Sequence, residues 1–374
     1  MISVWRAVLP SGLAVAHCLV GWATLRPGCY TGERIESAGK LDESEGNPTV
    51  RAALYDRTGA AHEVLRVEDV GRPEPGPGEV RVRVEASGVN PTDWKSRSGA
   101  TSRPIDGFQI PHHDGAGVID AVGEGVDPGR TGQRVWLFLA AAGRRWGTAA
   151  EWTVVPERQA VPLPDSASAE LGASLGVPAV TAHRCLFADG PVDGKTVLVA
   201  GGAGAVGHFA IELGKHAGAR VITTVSGPQK AELAAKAGAD LVVNYREPGA
   251  ADQIRSFAGA GGVDHVVELA LGANLQLDLA VTRPAARIVT YAAAPADPVL
   301  PVRACMTANL ELRFVLLYGV PPEALDQAAR DITQALGDGA LTELPVTRFP
   351  LDEIIAAQDA VEGGAVGKVL VIPG

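Results

Sequence analysis

The sequence predicts an α/β chain in which a doubly wound parallel sheet is joined to a strand-rich, barrel-like β region. Three observations carry that prediction. The stretch 195–215, KTVLVAGGAGAVGHFAIELGK, passes from an apolar run (Val197, Leu198, Val199) through a glycine turn into Phe209, Ala210 and Leu213 at helical spacing. Such a run fits a buried parallel strand, and strand, turn and helix stand in the order of a βα unit. Four strand–helix alternations begin there, which implies parallel strands joined by crossovers of one hand. Upstream, from residue 50, short alternating segments separated by Gly and Pro imply a twisted β region.

Taken in order, the chain opens with a segment unlike the rest. Arg6 and the apolar stretch 7–23 superficially resemble a secretory signal, but Pro10, Gly12, His17 and Gly21 interrupt it and no small-x-small cleavage site follows. Residues 33–48 are polar, with Gly, Ser, Asn and Pro, and read as a linker. Residues 1–49 are therefore expected to form a disordered extension or upstream sequence from an early start codon. RAALYD (51–56) alternates, 63–70 is expected as a second strand, and GRPEPGPGE (71–79) as a loop. Val80, Val82 and Val84 alternate with Arg81, Arg83 and Glu85, the pattern of a half-buried strand. GAGVIDAVGEGV and QRVWLFL follow as further β segments.

From residue 169 the spacing turns helical. Strands are expected at 196–200, 220–224, 241–244, 264–269 and 287–291, and helices at 204–217, 229–237, 250–258 and 275–282. A strand at 314–318, helices at 322–336 and 351–361, and a closing strand at 368–372 complete the chain. The doubly wound part, 171–312, is thus expected as an insertion between 50–170 and 313–374.

The totals set limits. The chain has 374 residues, of which 46% are hydrophobic, enough for a substantial core. A net charge of −10 with no Lys/Arg cluster argues against a nucleic-acid partner. Cys18, Cys29, Cys185 and Cys305 show no paired spacing, which fits a reducing compartment and opposes a disulfide framework or a structural zinc site. No apolar run has the roughly 18–20 residues that a membrane helix needs.

The glycine turn carries the chemistry. Gly202, Gly204 and Gly207 fit G-x-G-x-x-G, here in the strand–turn–helix context that the dinucleotide fingerprint requires. The first two allow a tight turn and close approach of a pyrophosphate, and Gly207 lets the helix sit on the strand. Unpaired N–H groups and the helix dipole then bind the diphosphate without a basic side chain. Gly202, Ala203, Gly204, Ala205 and Val206 are the expected phosphate-side residues. Ligands of such sheets lie outside the carboxyl ends of the strands, which adds Ala270, Leu271, Tyr291 and Ala292.

Six pieces in order, GPGEVRVRVEASGVNPTDWKSRSG, DGAGVIDAVGEGV, GVPAVTAHRCLF, VLVAGGAGAVG, KAELAAKAGADLVVNYRE and VGKVLVIPG, carry a resemblance. Over 50–374 the chain resembles the zinc-independent, zeta-crystallin-like quinone oxidoreductases of the medium-chain dehydrogenase/reductase superfamily. The resemblance implies a GroES-like catalytic domain (50–170 and 313–374), a Rossmann domain (171–312) and NADPH in the cleft between them. It implies hydride transfer to quinones or α,β-unsaturated carbonyls by a cytoplasmic homodimer paired at a Rossmann sheet edge. Two other readings stay open: a biosynthetic enoyl-thioester reductase, and a non-enzymatic NADPH-binding protein.

NAD-preferring sites place an acid about 20 residues past the glycines, on the ribose 2′-hydroxyl. Here the second strand ends Thr223-Thr224-Val225-Ser226 without one. Ser226 offers a hydroxyl, Lys230 lies a helical turn on, and Tyr245 follows the third strand. In the resembled family the matching residues hold a 2′-phosphate, which favours NADPH; singly, Lys230 is equally a solvated lysine and Tyr245 a packing residue. Phe314, Leu316 and Lys368 are cofactor-side residues by resemblance alone.

Zinc alcohol dehydrogenases of the same superfamily hold catalytic metal through Cys, His and a further Cys or acid. Asn90 stands at the first ligand position, His113 at the histidine and Asp114 at the acid that follows it; the third-ligand region, GVPAVTA, has no Cys, His or acid. Three protein ligands are normally required, so no metal is expected, and His112 and His113 are read as cleft-lining or structural. Something else must then steady negative charge on the substrate oxygen. By resemblance Asn90 donates to that oxygen and Thr181 touches the nicotinamide carboxamide. Lys95 and Thr101 stand where relatives often have Tyr; Lys95 either stabilises the anion or is simply solvated.

Overall fold

The computed structural model describes residues 48–101, 104–293 and 297–374. Residues 1–47 of the expected extension lie outside this description.

The elements, in chain order, are β1 (Thr49–Leu54), α1 (Ala61–Val64), β2 (Arg66–Gly71), β3 (Glu79–Val89), α2 (Pro91–Ser98), β4 (Asp114–Val122), β5 (Arg134–Leu137), β6 (Trp152–Pro156), β7 (Ala160–Pro162) and α3 (Ala169–Phe187). Next come β8 (Thr196–Ala200), α4 (Ala205–His216), β9 (Arg220–Val225), α5 (Pro228–Lys236), β10 (Leu241–Asn244), α6 (Ala250–Ala258), β11 (Val263–Glu268), α7 (Leu271–Val281) and β12 (Thr282–Thr290). The chain closes with α8 (Val302–Thr307), β13 (Glu311–Phe314), α9 (Pro322–Gly337), β14 (Val346–Pro350), α10 (Ile354–Glu362) and β15 (Lys368–Ile372).

Six of these strands form one sheet in the order β10-β9-β8-β11-β12-β13, every neighbour parallel. The strand order reverses between β8 and β11, and at such a switch point the flanking turns part to leave a crevice. Val197, Leu198 and Val199 are fully buried there, as a strand covered by helices on both faces requires. The second sheet runs β14-β15-β3-β4-β5-β7, with β6 also on β3. Its central strand follows the expected alternation at Val80, Val82 and Val84. Arg81, on the polar side of that alternation, is nevertheless buried, because its guanidinium donates to Asp120 at 2.9 Å and to Glu74 at 2.6 Å. The closing strand β15 lies antiparallel on β3, so the C-terminus returns to the sheet that the chain built first.

The structure corrects several boundaries. The strand expected over 63–70 is one turn of helix, α1, followed by β2; Ala61 and Val64, three apart, both turn inward. The strand expected over 314–318 is β13, which ends at Phe314 and crosses residue 312, while Leu317–Gly319 form a 3-10 turn. Helix α7 begins at Leu271 rather than 275, because buried Leu271 and Leu275 share one face although Gly272 weakens the local helical signal.

Candidate active site

The cleft at the switch point is built from the ends of consecutive parallel strands. It spans about 900 Å³, part of it open to solvent, and its lining includes Gly201, Ala203 and Gly204 after β8, Ser226 after β9, Tyr245 after β10, and Ala270 and Asn274 after β11. Lys230 on α5 joins the rim, and Gly364, Ala365 and Val366, between α10 and β15, close it from the other sheet. The turn itself works through crowding. Gly201 has φ +72°, in the left-handed region that favours glycine. A Cβ on Gly202 would lie 2.8 Å from Ile211 Cδ1, so the turn seats directly on α4. Gly204 is the N-cap of α4 and supplies no side chain to its first N–H groups, which leaves them for an anion.

Ala203, Gly204, Ser226, Lys230, Tyr245 and Ala270 thus meet at one cleft. Ala205 and Val206 begin α4 and pack partly against the core. Gly202 lies buried beneath the turn. Leu271, expected beside a cofactor, points instead into the apolar cluster of Ile254, Val266 and Leu275. Tyr291 packs on the core, its hydroxyl pushed far above the usual range by burial, whereas Ala292 is exposed. Phe314 and Leu316 are 72% and 67% exposed, away from the cleft lining. Thr181 is buried within α3. Lys95 is half-buried on α2 with Nζ 5.8 Å from the Trp94 ring centroid. Two residues from Asp93, it falls on a different side of that helix from Asp93 and Ser96, which line a small polar cavity with Thr101, His112 and His113.

Lys368 is the largest departure. Expected against the cofactor, it is 2% exposed, and Nζ donates to Asn90 Oδ1 at 2.7 Å and lies 3.4 Å from Asp114 Oδ2. Asn90 Nδ2 donates to Asp114 Oδ2 at 2.6 Å, and the Val177 N–H donates to Asp114 Oδ1 at 2.7 Å. Burial pushes Asp114 up and Lys368 down, and their attraction opposes both shifts. Three donors, Asn90 Nδ2, the Val177 N–H and Lys368 Nζ, converge on the two oxygens of Asp114. Next to it, burial first and Asp114 second raise the Asp93 carboxyl well above its ordinary range, although the Asn90 N–H donates to it at 2.7 Å. His112 sits at φ +77° between Ser87 Oγ (2.9 Å) and Gln358 Nε2 (3.4 Å), and burial lowers its pKa to about 3.

These residues do not fit zinc. Asn90 offers a neutral amide already shared between Lys368 and Asp114, and the Lys368 side chain occupies the space against both. His113 Nε2 faces Asp93 at 4.0 Å with its ring against Tyr318, centroids 5.2 Å apart. Among the described residues no cluster of three His, Cys, Asp or Glu side chains is arranged for a metal.

Sequence reading missed Glu268. It ends β11, fully buried, and accepts from the Ala270 N–H and from Asn274 Nδ2 at 2.9 Å. Burial raises its carboxyl and the Ala270 N–H opposes that shift. Glu268 thereby fixes Ala270 and Asn274, two of the cleft-lining residues that follow β11. The signal was present in the acid that ends VDHVVE, but an acid there reads equally as a solvated strand end. Gly364–Val366 were also missed, since their place depends on how β15 docks.

Residues 76–165 match the alcohol dehydrogenase GroES-like domain, and residues 205–334 match the zinc-binding dehydrogenase family. The quinone oxidoreductase of Rattus norvegicus is 30% identical over 314 residues, covering 83% of this chain and 94% of that protein. That of Lama guanicoe is 30% identical over 331 residues, covering 87% and 98%. A mycobacterial protein solved in complex with NADPH superposes with a TM-score of 0.75 at 31% identity, covering 87% of this chain and all of that one.

Proposed function

We propose, from the premise that this chain belongs to the quinone oxidoreductase family of the medium-chain dehydrogenases/reductases, that it is an NADPH-dependent reductase of small quinones or α,β-unsaturated carbonyls working without zinc. One observation supports it above the others. The cleft that receives a dinucleotide at the switch point carries Ser226, Lys230 and Tyr245 on its rim and no acid at the end of β9. A carboxylate there would repel a 2′-phosphate; a hydroxyl and an ammonium attract it.

The residues present suit the cofactor. The Gly201–Gly204 turn and the first N–H groups of α4 would hold the diphosphate, and Ser226, Lys230 and Tyr245 the 2′-phosphate. Ala270 and Asn274, fixed by Glu268, would border the middle of the molecule. When bound, NADPH supplies the hydride. The protein's own part is to align the acceptor, exclude water and stabilise charge on the acceptor oxygen. Asn90 is the donor assigned to that oxygen, and Thr181 on α3 is assigned to the nicotinamide carboxamide. Lys95 is assigned no part, since its ammonium lies over Trp94 on another side of α2.

The chain is further assigned a homodimer paired at the free edge of β13. That edge, with neighbouring α8, exposes Val302 (58%), Met306 (71%) and Phe314 (72%), and a bare strand edge with an apolar rim favours pairing. The unpaired Cys185 and Cys305 suit a reducing cytoplasm.

The test is NADPH oxidation with naphthoquinone, phenanthrenequinone and 2-enals, set against NADH, together with metal analysis of the purified protein. Acceptor-dependent oxidation preferring NADPH, with substoichiometric zinc, is expected. Tight NADPH binding with no turnover on any acceptor would favour a non-enzymatic role, and stoichiometric zinc would refute the metal-free reading.

A further inference from the structure

We propose that Lys368 is a positioning residue. As a fixed ammonium it carries the positive charge that zinc-binding relatives carry as a metal ion, and it acts on the substrate through the Asn90 amide. The inference rests on the reading of the chain as an NADPH-dependent quinone or enone reductase.

The fold brings the two residues together. β15 lies antiparallel on β3 with Val369 opposite Val89 and Leu370 opposite Gly88. The next residues outward, Lys368 and Asn90, therefore face each other where β3 gives way to α2. Asn90 is the N-cap of that helix and is 3% exposed. An asparagine amide has one acceptor oxygen and two N–H donors, and the two ends are otherwise interchangeable in space. Here an ammonium can face only the oxygen, and the Asp114 carboxylate only the nitrogen. The pair locks the amide in one orientation, with one Nδ2 hydrogen on Asp114 and the second left for another acceptor.

One electrostatic effect follows. The ammonium on Oδ1 withdraws electron density through the amide, so the remaining Nδ2–H is a stronger donor. A metal ion held at the ligand positions that Asn90 and His113 occupy would supply the same sign of charge. Here the charge belongs to the chain itself and needs no loading.

The test is a double-mutant cycle on the NADPH-loaded enzyme with a quinone acceptor. Lys368→Met and Asn90→Ala should each lower kcat by roughly 10²-fold, with the NADPH Kd held within about threefold. Combined, they should lose no more than Asn90→Ala alone, because the lysine acts through that amide. Additive losses would overturn the proposal. So would a Kd for NADPH that rises about tenfold or more with kcat unchanged, the result expected if Lys368 instead binds cofactor directly. Because Lys368→Met strands a buried carboxylate, the pair K368M/D114N removes both charges. It should melt near wild type and still show the low kcat; recovery of kcat in the pair would also overturn the inference. A wild type with no acceptor-dependent NADPH oxidation would instead defeat the underlying functional reading, and that outcome is visible before any variant is made.

Discussion

Gly207 has no room for a side chain against Gly201: a Cβ there would press into the Gly201 carbonyl oxygen and come within 2.8 Å of the Gly202 Cα. The two residues bracket the turn between β8 and α4, and backbone on both sides leaves nothing flexible to move aside. Gly207→Ala is therefore expected to destabilise the fold by about 1–3 kcal/mol, the usual cost of overpacking. It should also weaken NADPH, since α4 would be pushed off the sheet and its N-terminal N–H groups displaced. Thermal melting with and without NADPH checks both effects, and a variant that melts and binds like wild type contradicts them.

The rim formed by Ser226, Lys230 and Tyr245 predicts cofactor choice. Ser226→Asp puts a carboxylate at the end of β9, next to the cleft. The NADPH Kd should rise by about tenfold or more, equivalent to at least ~1.4 kcal/mol, from like-charge repulsion, while NADH is spared. Lys230→Ala should weaken NADPH alone, and less so at high salt, where the lysine is already screened. Fluorescence titration with both cofactors measures the ratio; if it stays the same in both variants, the 2′-phosphate lies elsewhere.

Asp278 predicts a pH dependence of stability. It is 1% exposed on α7, and its Oδ2 has no hydrogen-bond partner among the described residues. Burial, followed by the neighbouring Glu268, pushes its carboxyl up to about 8. Between the ordinary aspartate range near ~4 and about 8, the folded protein keeps a proton that the unfolded chain releases. Stability therefore falls as pH rises through that window. Asp278→Asn mimics the protonated form and removes this slope. Its melting temperature should exceed that of wild type by a margin that widens across the window and levels off above it. Parallel melting curves for the two proteins would place the proton on another group.

The β13 edge predicts an association that two substitutions should break. Phe314→Asp and Met306→Asp each set a charge on a side chain more than two-thirds exposed. Neither touches the core, so melting temperature should hold while a sedimenting dimer dissociates toward monomer. A wild type that is monomeric at micromolar concentrations, or variants that remain dimeric, would remove the edge-pairing assignment.

What the sequence determined by itself was local. The strand–turn–helix at 195–215 is legible because its demands act within a few residues: Gly207 must clear Gly201, and Gly204 must leave the first N–H groups of α4 uncovered. The meeting of Ser226, Lys230, Tyr245 and Ala270 was equally readable, because consecutive parallel strands send their carboxyl ends to one side. Tertiary structure alone decided the rest. Lys368 and Asn90 stand 278 residues apart and meet only through the antiparallel register of β15 on β3. No spacing in the chain encodes that register. Leu271 turned into the core and Phe314 out to the surface for a related reason: a side chain's direction at the start of a helix or the end of a strand is set by what packs on each face. Periodicity gives a strand two faces; only the packed molecule says which of them meets the ligand.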